Sequence, residues 1–421
     1  MRILFVTQWF DPEPIFKGLA FARELKRYGH DVQVLTGFPN YPGGRLYEGY
    51  RIRPVQRECI DGVSVVRVPL YPSHSRSVAG RTLNYCSFAA SAATIGTAIV
   101  GRPDVIYAYH PPATVGIPAV TLRAVYGAPL VYDIQDLWPD SVAASGMITS
   151  RRRLGLLSTL CRFVYARTDH ITVLSPGLKQ ALIARGVPPE KVTVVYNWCD
   201  EAQIIQRGSS AAHQPADGWP GKFLVVFAGT MGAAQALDSA LEAARLVGAS
   251  RPDVHFLFIG GGIESERLAA RALSLNLANV TFLPPVPVAS IGRYLARADA
   301  LLVHLKNDPL FEITIPSKTQ AYMAAGRPLV MAVRGDAADL VRRANCGITC
   351  EPEDPGSLSR AIQSLAATGP VERRVLGENG RRFYENSCSL SAGTQKFDAI
   401  FRSLCSSGQV VRSSPARSSN S

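Results

Sequence analysis

The chain has 421 residues, 47% of them hydrophobic and 19% charged, with a formal net charge of +12. That length and apolar content exclude a disordered chain or one small core, and suit two domains. The basic excess favours an anionic partner such as a nucleotide or a phospholipid surface; nucleic acid is set aside, because no basic stripe interleaved with aromatics is present.

The opening residues, MRILFVTQWF, run straight into a strand, Ile3–Thr7, without the layout of a signal peptide, so a cytoplasmic protein is expected. Gly18 to Tyr28 carries apolar residues at helical spacing, and Gly29 stops it. Asp31–Thr36 reads as the next strand, followed by a Pro/Gly/Tyr loop, Gly37–Gly49. Thr82 to Gly101 holds no charge between Arg81 and Arg102. It is just long enough to span a bilayer, but Asn84, Gly96 and its Ser/Thr content favour a buried or interfacial helix. Asp104–Tyr109, Leu130–Ile134, Ile171–Leu174 and Val192–Tyr196 read as further strands. The run Arg151-Arg152-Arg153 opens a helix, as a solvated face or a contact with anionic lipid. Strands alternating with helices predict an α/β domain with a doubly wound parallel sheet.

Gln206 to Gly221 is polar and rich in Gly, Pro and Ser, and reads as a linker. A second series follows: Phe223–Phe227, His255–Ile259, Val280–Leu283 and Ala300–Leu305 as strands. The expected organisation is a first domain over residues 1–205, a linker over 206–221 and a second domain over 222–385. A C-terminal helix over 386–405 would pack back on the first domain, with a disordered Ser/Arg tail over 406–421. The cysteines form no CxxC and no cysteine–histidine cluster with zinc spacing, so no metal is expected.

Ligands of such sheets bind beyond the carboxyl ends of the strands. In the second domain that rule selects Gly229-Thr230-Met231-Gly232, Gly260-Gly261-Gly262, the loop Pro284–Pro287, and Phe311–Pro328, FEITIPSKTQAYMAAGRP. In the last, Pro316 opens a helix that Gly326 and Pro328 stop. Its N-terminus with Ser317 and Lys318 is a candidate diphosphate cradle. Bare backbone at Gly18 and at the glycines of Gly229–Gly232 offers further phosphate contacts. In the first domain the strand ends present Trp9, Tyr109 and His110, and the segment DIQDLWPD presents Asp136, Trp138 and Asp140. Histidine and carboxylate there suit sugar hydroxyls or acid–base work, and tryptophan suits a sugar face.

These motifs, in order, include LFVTQWFDPEP, TGFPNYPGG, YAYHPP, VYDIQDLWPD, VVYNWCD, FAGTMG, FIGGG and IPSKTQAYMAAGRP. The set resembles the family 4 retaining glycosyltransferases, and its wording resembles the N-acetyl-L-fucosaminyltransferase branch. The resemblance implies the GT-B architecture: two facing Rossmann-like domains with an interdomain cleft. It implies a nucleotide-sugar donor, with UDP-L-FucNAc the leading candidate. It further implies a polyprenyl-diphosphate-linked acceptor in O-antigen, capsule or exopolysaccharide synthesis, no metal cofactor, and peripheral placement on an anionic membrane surface. By position, Thr230 and Lys318 would hold the diphosphate, with N–H groups from Gly18 and Ser317. Gly261, Gly262, Pro285 and Val286 would flank base and ribose. Relatives commonly carry two glutamates where this chain has Ile313 and Ala321. Glu312 and Gln320 are their neighbours, with Glu312 the candidate carboxylate and Gln320 a candidate donor contact. Gln135 stands where relatives commonly place a histidine, and His110 is the candidate substitute. Alternatives of other classes are a nucleotide-sugar 2-epimerase of the same architecture and a non-catalytic sugar-binding member of an assembly complex.

Overall fold

The computed structural model describes residues 1–73, 78–144, 146–205 and 219–413. The chain forms two compact units, one of residues 1–174, 178–195 and 393–421, the other of residues 175–177 and 196–392.

In the first unit, strands β1 (Arg2–Val6), β2 (Asp31–Gly37), β3 (Gln56–Ile60), β4 (Val63–Val68), β5 (Val105–His110), β6 (Leu130–Ile134), β7 (His170–Val173) and β8 (Val192–Val194) form one sheet in the order β3-β4-β2-β1-β5-β6-β7-β8. Only β3 runs antiparallel. Ile3 of β1 lies opposite Val32 on one side and Val105 on the other, so the order reverses between β1 and β5. Every residue of β5 and β6 is buried, as expected for strands covered on both faces. The helix Leu390–Ser413 packs here: Phe397 lies 5.1 Å from Phe21 and 5.3 Å from Tyr107, ring to ring, and His30 Nε2 is 2.7 Å from Asp398 Oδ1. It extends eight residues past the expected end at 405, and residues 414–421 of the expected disordered tail lie outside the described residues.

The second unit holds β9 (Phe223–Ala228), β10 (Val254–Ile259), β11 (Val280–Leu283), β12 (Ala300–His304), β13 (Leu329–Ala332) and β14 (Gly347–Thr349), all parallel, in the order β11-β10-β9-β12-β13-β14. The order reverses between β9 and β12, which sets the loops after these strands side by side. Alternate residues of a strand share one face of the sheet. Phe223, Val225 and Phe227 of β9 accordingly join Phe256 and Phe258 of β10 and Leu241 in one buried cluster.

The structure departs from the expected organisation in three places. Strands β3 and β4 form a hairpin that the sequence reading lacks, turned by Asp61 and Gly62 at φ 47° and 80°. An Asp-Gly pair between β-rich runs is the local signal for it. Strands β13 and β14 are also additional. The first unit ends at Val195 rather than at residue 205, because the helix Glu201–Ile204 is tied to the second unit. There, Glu201 Oε1 accepts from Tyr384 Oη and from the Leu390 N–H, both at 2.9 Å. Residues 206–218 of the expected linker lie outside the described residues.

The uncharged stretch 82–101 is a helix, Val78–Ser91, that continues through a π-helical turn, Ala92–Gly96, to Thr97–Ile99. Buried Asn84 holds it to the first sheet's loops, accepting from Gln8 Nε2 and donating to Tyr71 O at 2.7 Å. No helix among the described residues is long and apolar enough to cross a membrane.

Candidate functional site

The helix Ser317–Ala325 follows Pro316, and no side chain among the described residues caps it. The Thr319 N–H is spent on Pro316 O at 2.9 Å, which leaves the N–H groups of Ser317 and Lys318 as the ones an anion can meet. Buried Tyr322 pins this helix to the end of β9, its Oη accepting from the Ala228 N–H at 2.8 Å and donating to Ala228 O at 3.2 Å. Sequence reasoning passes over Tyr322, since its partner lies 94 residues away.

Lys318 crosses the β9 loop at Gly229. A Cβ at Gly229 would lie 2.7 Å from Lys318 Cε, and the glycine has φ +129°. The lysine Nζ stands 3.8 Å from the centroid of the Phe227 ring. Burial, with no compensating carboxylate among the described residues, lowers its pKa to about 7. An anion brought to this point would supply the missing partner.

The glycines of these loops also let the two strand ends pack against each other. Gly229 N–H donates to Ile259 O and Met231 N–H to Gly261 O, both at 2.8 Å, so the loops after β9 and β10 continue as a backbone ladder. Gly260 at φ +140° and Gly262 at φ +149° lie against this ladder, where a Cβ would strike Gly229 O and Met231 O. Gly232 spends its N–H on Gln235 Oε1 at 2.9 Å, which removes it as a phosphate donor. Gln320 is also corrected: it is buried, and with its amide oriented to satisfy its neighbours it donates to Pro316 O at 2.9 Å, bracing its own helix. Thr230, Ser317 and Pro285 are exposed, and Val286 is half-buried. A Cβ on Gly261 would meet Pro285 Cγ at 3.1 Å. Glu312 ends the short helix Pro309–Glu312, half-buried, with its backbone packed under Gly335.

In the first unit, Gly18 serves a neighbouring side chain. The Leu19 N–H donates to Asp11 Oδ2 at 2.7 Å, and a Cβ on Gly18 would strike that carboxylate. The helix start expected to meet phosphate already holds an acid. Glu13, absent from the sequence candidates, is 2% exposed and accepts N–H bonds from Phe10 (3.0 Å), Asn40 (2.7 Å) and Tyr41 (2.8 Å). It ties the loops after β1 and β2 together, and burial pushes its pKa up to about 7.

His110 is buried, 5.4 Å from the Trp138 ring and 5.9 Å from Tyr132. Burial lowers its pKa to about 3, so the ring is neutral near pH 7, and its Nδ1 has no hydrogen-bond partner among the described residues. Asp136 reaches solvent, while surrounding protein raises its pKa. Tyr109 and Trp138 are buried, so neither offers a free ring face. Trp9 is half-buried and stacked on Tyr41 at 4.6 Å, which covers one face. Asp140 pairs with Arg185, whose guanidinium also donates to Trp138 O at 2.9 Å. Tyr109, Trp138, Trp9 and Asp140 are packing and bracing residues as the unit stands.

Residues 19–198 match the family described as Glycosyl transferase 4-like domain, and residues 222–368 match Glycosyl transferases group 1. The Pseudomonas aeruginosa protein named as probable glycosyltransferase WbjE is 27% identical over 318 residues, covering 73% of this chain and 77% of that protein. The Escherichia coli K12 protein named for colanic acid biosynthesis, glycosyl transferase WcaI, is 27% identical over 310 residues, 72% of this chain and 75% of its own. Among solved structures, HepE from Anabaena in complex with UDP and glucose superposes with a TM-score of 0.67 at 16% identity, over 95% of this chain and 99% of its own. The α,α-trehalose 6-phosphate synthase of Burkholderia multivorans does so with a TM-score of 0.73 at 14% identity, over 99% of each chain. The chain is a glycosyltransferase with the two-domain GT-B fold.

Proposed function

We propose that this glycosyltransferase holds a nucleotide-sugar donor by its diphosphate at Lys318 and passes the sugar, with retained configuration, to a polyprenyl-diphosphate-linked saccharide. The carrying observation is Lys318 itself: a lysine desolvated with no carboxylate among the described residues to offset it, at the start of a helix without a side-chain cap, beside the point where the sheet order reverses. The relative named for colanic acid biosynthesis and the neighbour holding UDP and glucose support a UDP-sugar and a surface polysaccharide. N-acetyl-L-fucosamine is the proposed sugar, on the wording of TGFPNYPGG, IQDLWPD and VYNWCD.

The chemistry asked of the protein is modest. Negative charge grows on the diphosphate as the sugar leaves, and Lys318 with the N–H groups of the helix start stabilises it. Thr230 adds a hydroxyl. The departing diphosphate takes the acceptor proton. Glu312 orients the sugar, and in the first unit Asp136, which reaches solvent, is the candidate for an acceptor hydroxyl. This scheme uses no metal, so added chelator leaves the rate unchanged.

The test is nucleotide release from a panel of UDP- and GDP-sugars, with and without polyprenyl-diphosphate-GlcNAc. Acceptor-dependent release of UDP from UDP-L-FucNAc supports the reading. UDP binding without release from any donor would favour the non-catalytic alternative, for which Ile313 and Ala321 in the glutamate slots are the motive. Conversion of the donor without acceptor would favour the epimerase.

A further inference from the structure

We propose that the second unit carries a further site, an arginine-lined cavity at the amino ends of β12 and β13 that binds a phosphorylated small molecule apart from the donor. The inference goes beyond the transfer reaction and does not rest on it.

The cavity forms where the helix that begins with Ser317 and Lys318 ends. Gly326 closes that helix at φ 69°, and the chain passes through Arg327 and Pro328 into β13. The helix Pro370–Ser387 crosses this turn closely. A Cβ on Gly377 would strike Gly326 O, and a Cβ on Gly326 would lie 3.7 Å from Arg381 Cδ. These two segments and Asp299, just before β12, enclose a cavity of about 550 Å³. A nine-residue helix, about 13 Å long, separates it from the helix start proposed for the donor diphosphate.

Four arginines line the cavity, Arg327, Arg373, Arg374 and Arg381, against two acids, Asp299 and Glu378. Asp299 and Arg373 are spent on structure. Asp299 accepts from the Leu224 N–H at 2.9 Å and lies 3.6 Å from Arg373, which also donates to Thr368 O and covers the Phe223 ring at 5.1 Å. Arg327 donates to Ala296 O and has no carboxylate within ion-pair distance among the described residues; burial lowers its pKa. Arg374 and Arg381 stand seven positions apart, two turns along one side of their helix. Each meets a carboxylate through Nε alone, Glu378 at 3.5 Å and Glu385 at 3.4 Å, in exposed pairs that contribute little. Their terminal nitrogens have no hydrogen-bond partner among the described residues.

Arg267 shows the contrast. Its two terminal nitrogens reach Asp238 at 2.9 Å and 2.6 Å, and its Nε reaches Glu264 at 2.6 Å, so that fork is filled by the chain. An open guanidinium fork takes two phosphate oxygens at once. Two such forks and Arg327 in one concavity suit an anion of more than one charge. The volume is that of a small-molecule site, and Pro328 and Pro370 give the organic part an apolar wall.

The probe is inorganic pyrophosphate, titrated calorimetrically into the full chain carrying Lys318→Ala, so that the proposed donor site does not compete. One equivalent is expected to bind, more weakly as salt is raised. Adding Arg374→Gln should weaken binding roughly fivefold, and Arg374→Gln with Arg381→Gln roughly tenfold or more, with an unchanged melting temperature. Arg382→Gln removes an exposed charge from the same helix outside the cavity, and should leave binding within about twofold. Absence of pyrophosphate binding would overturn the inference. So would binding that the double change leaves untouched, or that Arg382→Gln weakens as much as Arg374→Gln does. The titration uses neither donor nor acceptor, so failure of the proposed transfer leaves its result standing.

Discussion

Two desolvated lysines, Lys17 fully buried in one unit and Lys318 half-buried in the other, show what separates a structural charge from a functional one. Lys17 is wholly buried, and its Nζ lies 2.6 Å from Asp133 Oδ2. Asp133 also accepts from Tyr107 Oη and Thr172 Oγ1, both at 2.7 Å. Each charge there has its counter-charge from the chain. Lys318 is packed against an aromatic ring instead, with burial the sole cause of its lowered pKa. A charge satisfied by the protein holds the protein together. A desolvated charge without a counter-charge is poised for a ligand.

Four measurements would separate the two lysines or merge them. Lys17→Met should have the largest effect, a loss of about 3–5 kcal/mol in stability, because it leaves Asp133 charged and buried. Denaturant unfolding monitors it, and a loss near zero would remove the structural reading. Lys318→Ala should instead lower kcat/KM by roughly 10²–10³ with KM raised and kcat cut together, since the lysine meets diphosphate in ground and transition states. Its fold should be intact, and unchanged kinetics would end the role given to Lys318. Gly229→Ala should cost about 1–3 kcal/mol in backbone strain and raise donor KM by crowding Lys318 Cε, as unfolding and kinetics on one sample would report.

The smallest effect is on pH. Lys318 has a pKa of about 7 in the free protein, and a bound diphosphate would raise it by favouring the charged form. Donor binding then takes up a proton above pH 7. Affinity should hold below that pH and weaken above it, by at most about tenfold per unit. Calorimetric titration of UDP across the range checks it, and Lys318→Ala should flatten the profile.

Much of the fold was legible because central parallel strands are continuous apolar runs. Phe223–Phe227 and Leu130–Ile134 announce themselves from composition. Gly347–Thr349 does not, because Gly-Ile-Thr holds a single apolar residue and so no apolar run. At the site, Pro316, Ser317 and Lys318 were legible as a helix start near a strand end. The same reasoning could not show that the Gly232 N–H and the Gln320 amide are spent on Gln235 and Pro316, or that Asp11 already sits beside Gly18 on the Leu19 N–H. It missed Glu13 because a carboxylate among loop residues looks like any surface acid until its backbone donors are seen.

The alternation of strands and helices, the two series of them and an anion-seeking helix start at Ser317 are written in the residue order, since each depends on neighbours within a few turns of chain. The strand orders, and which lysine keeps a counter-charge, come from the folded chain. Lys17 and Asp133 are 116 residues apart, and the energy of a buried charge depends on what distant segments bring beside it.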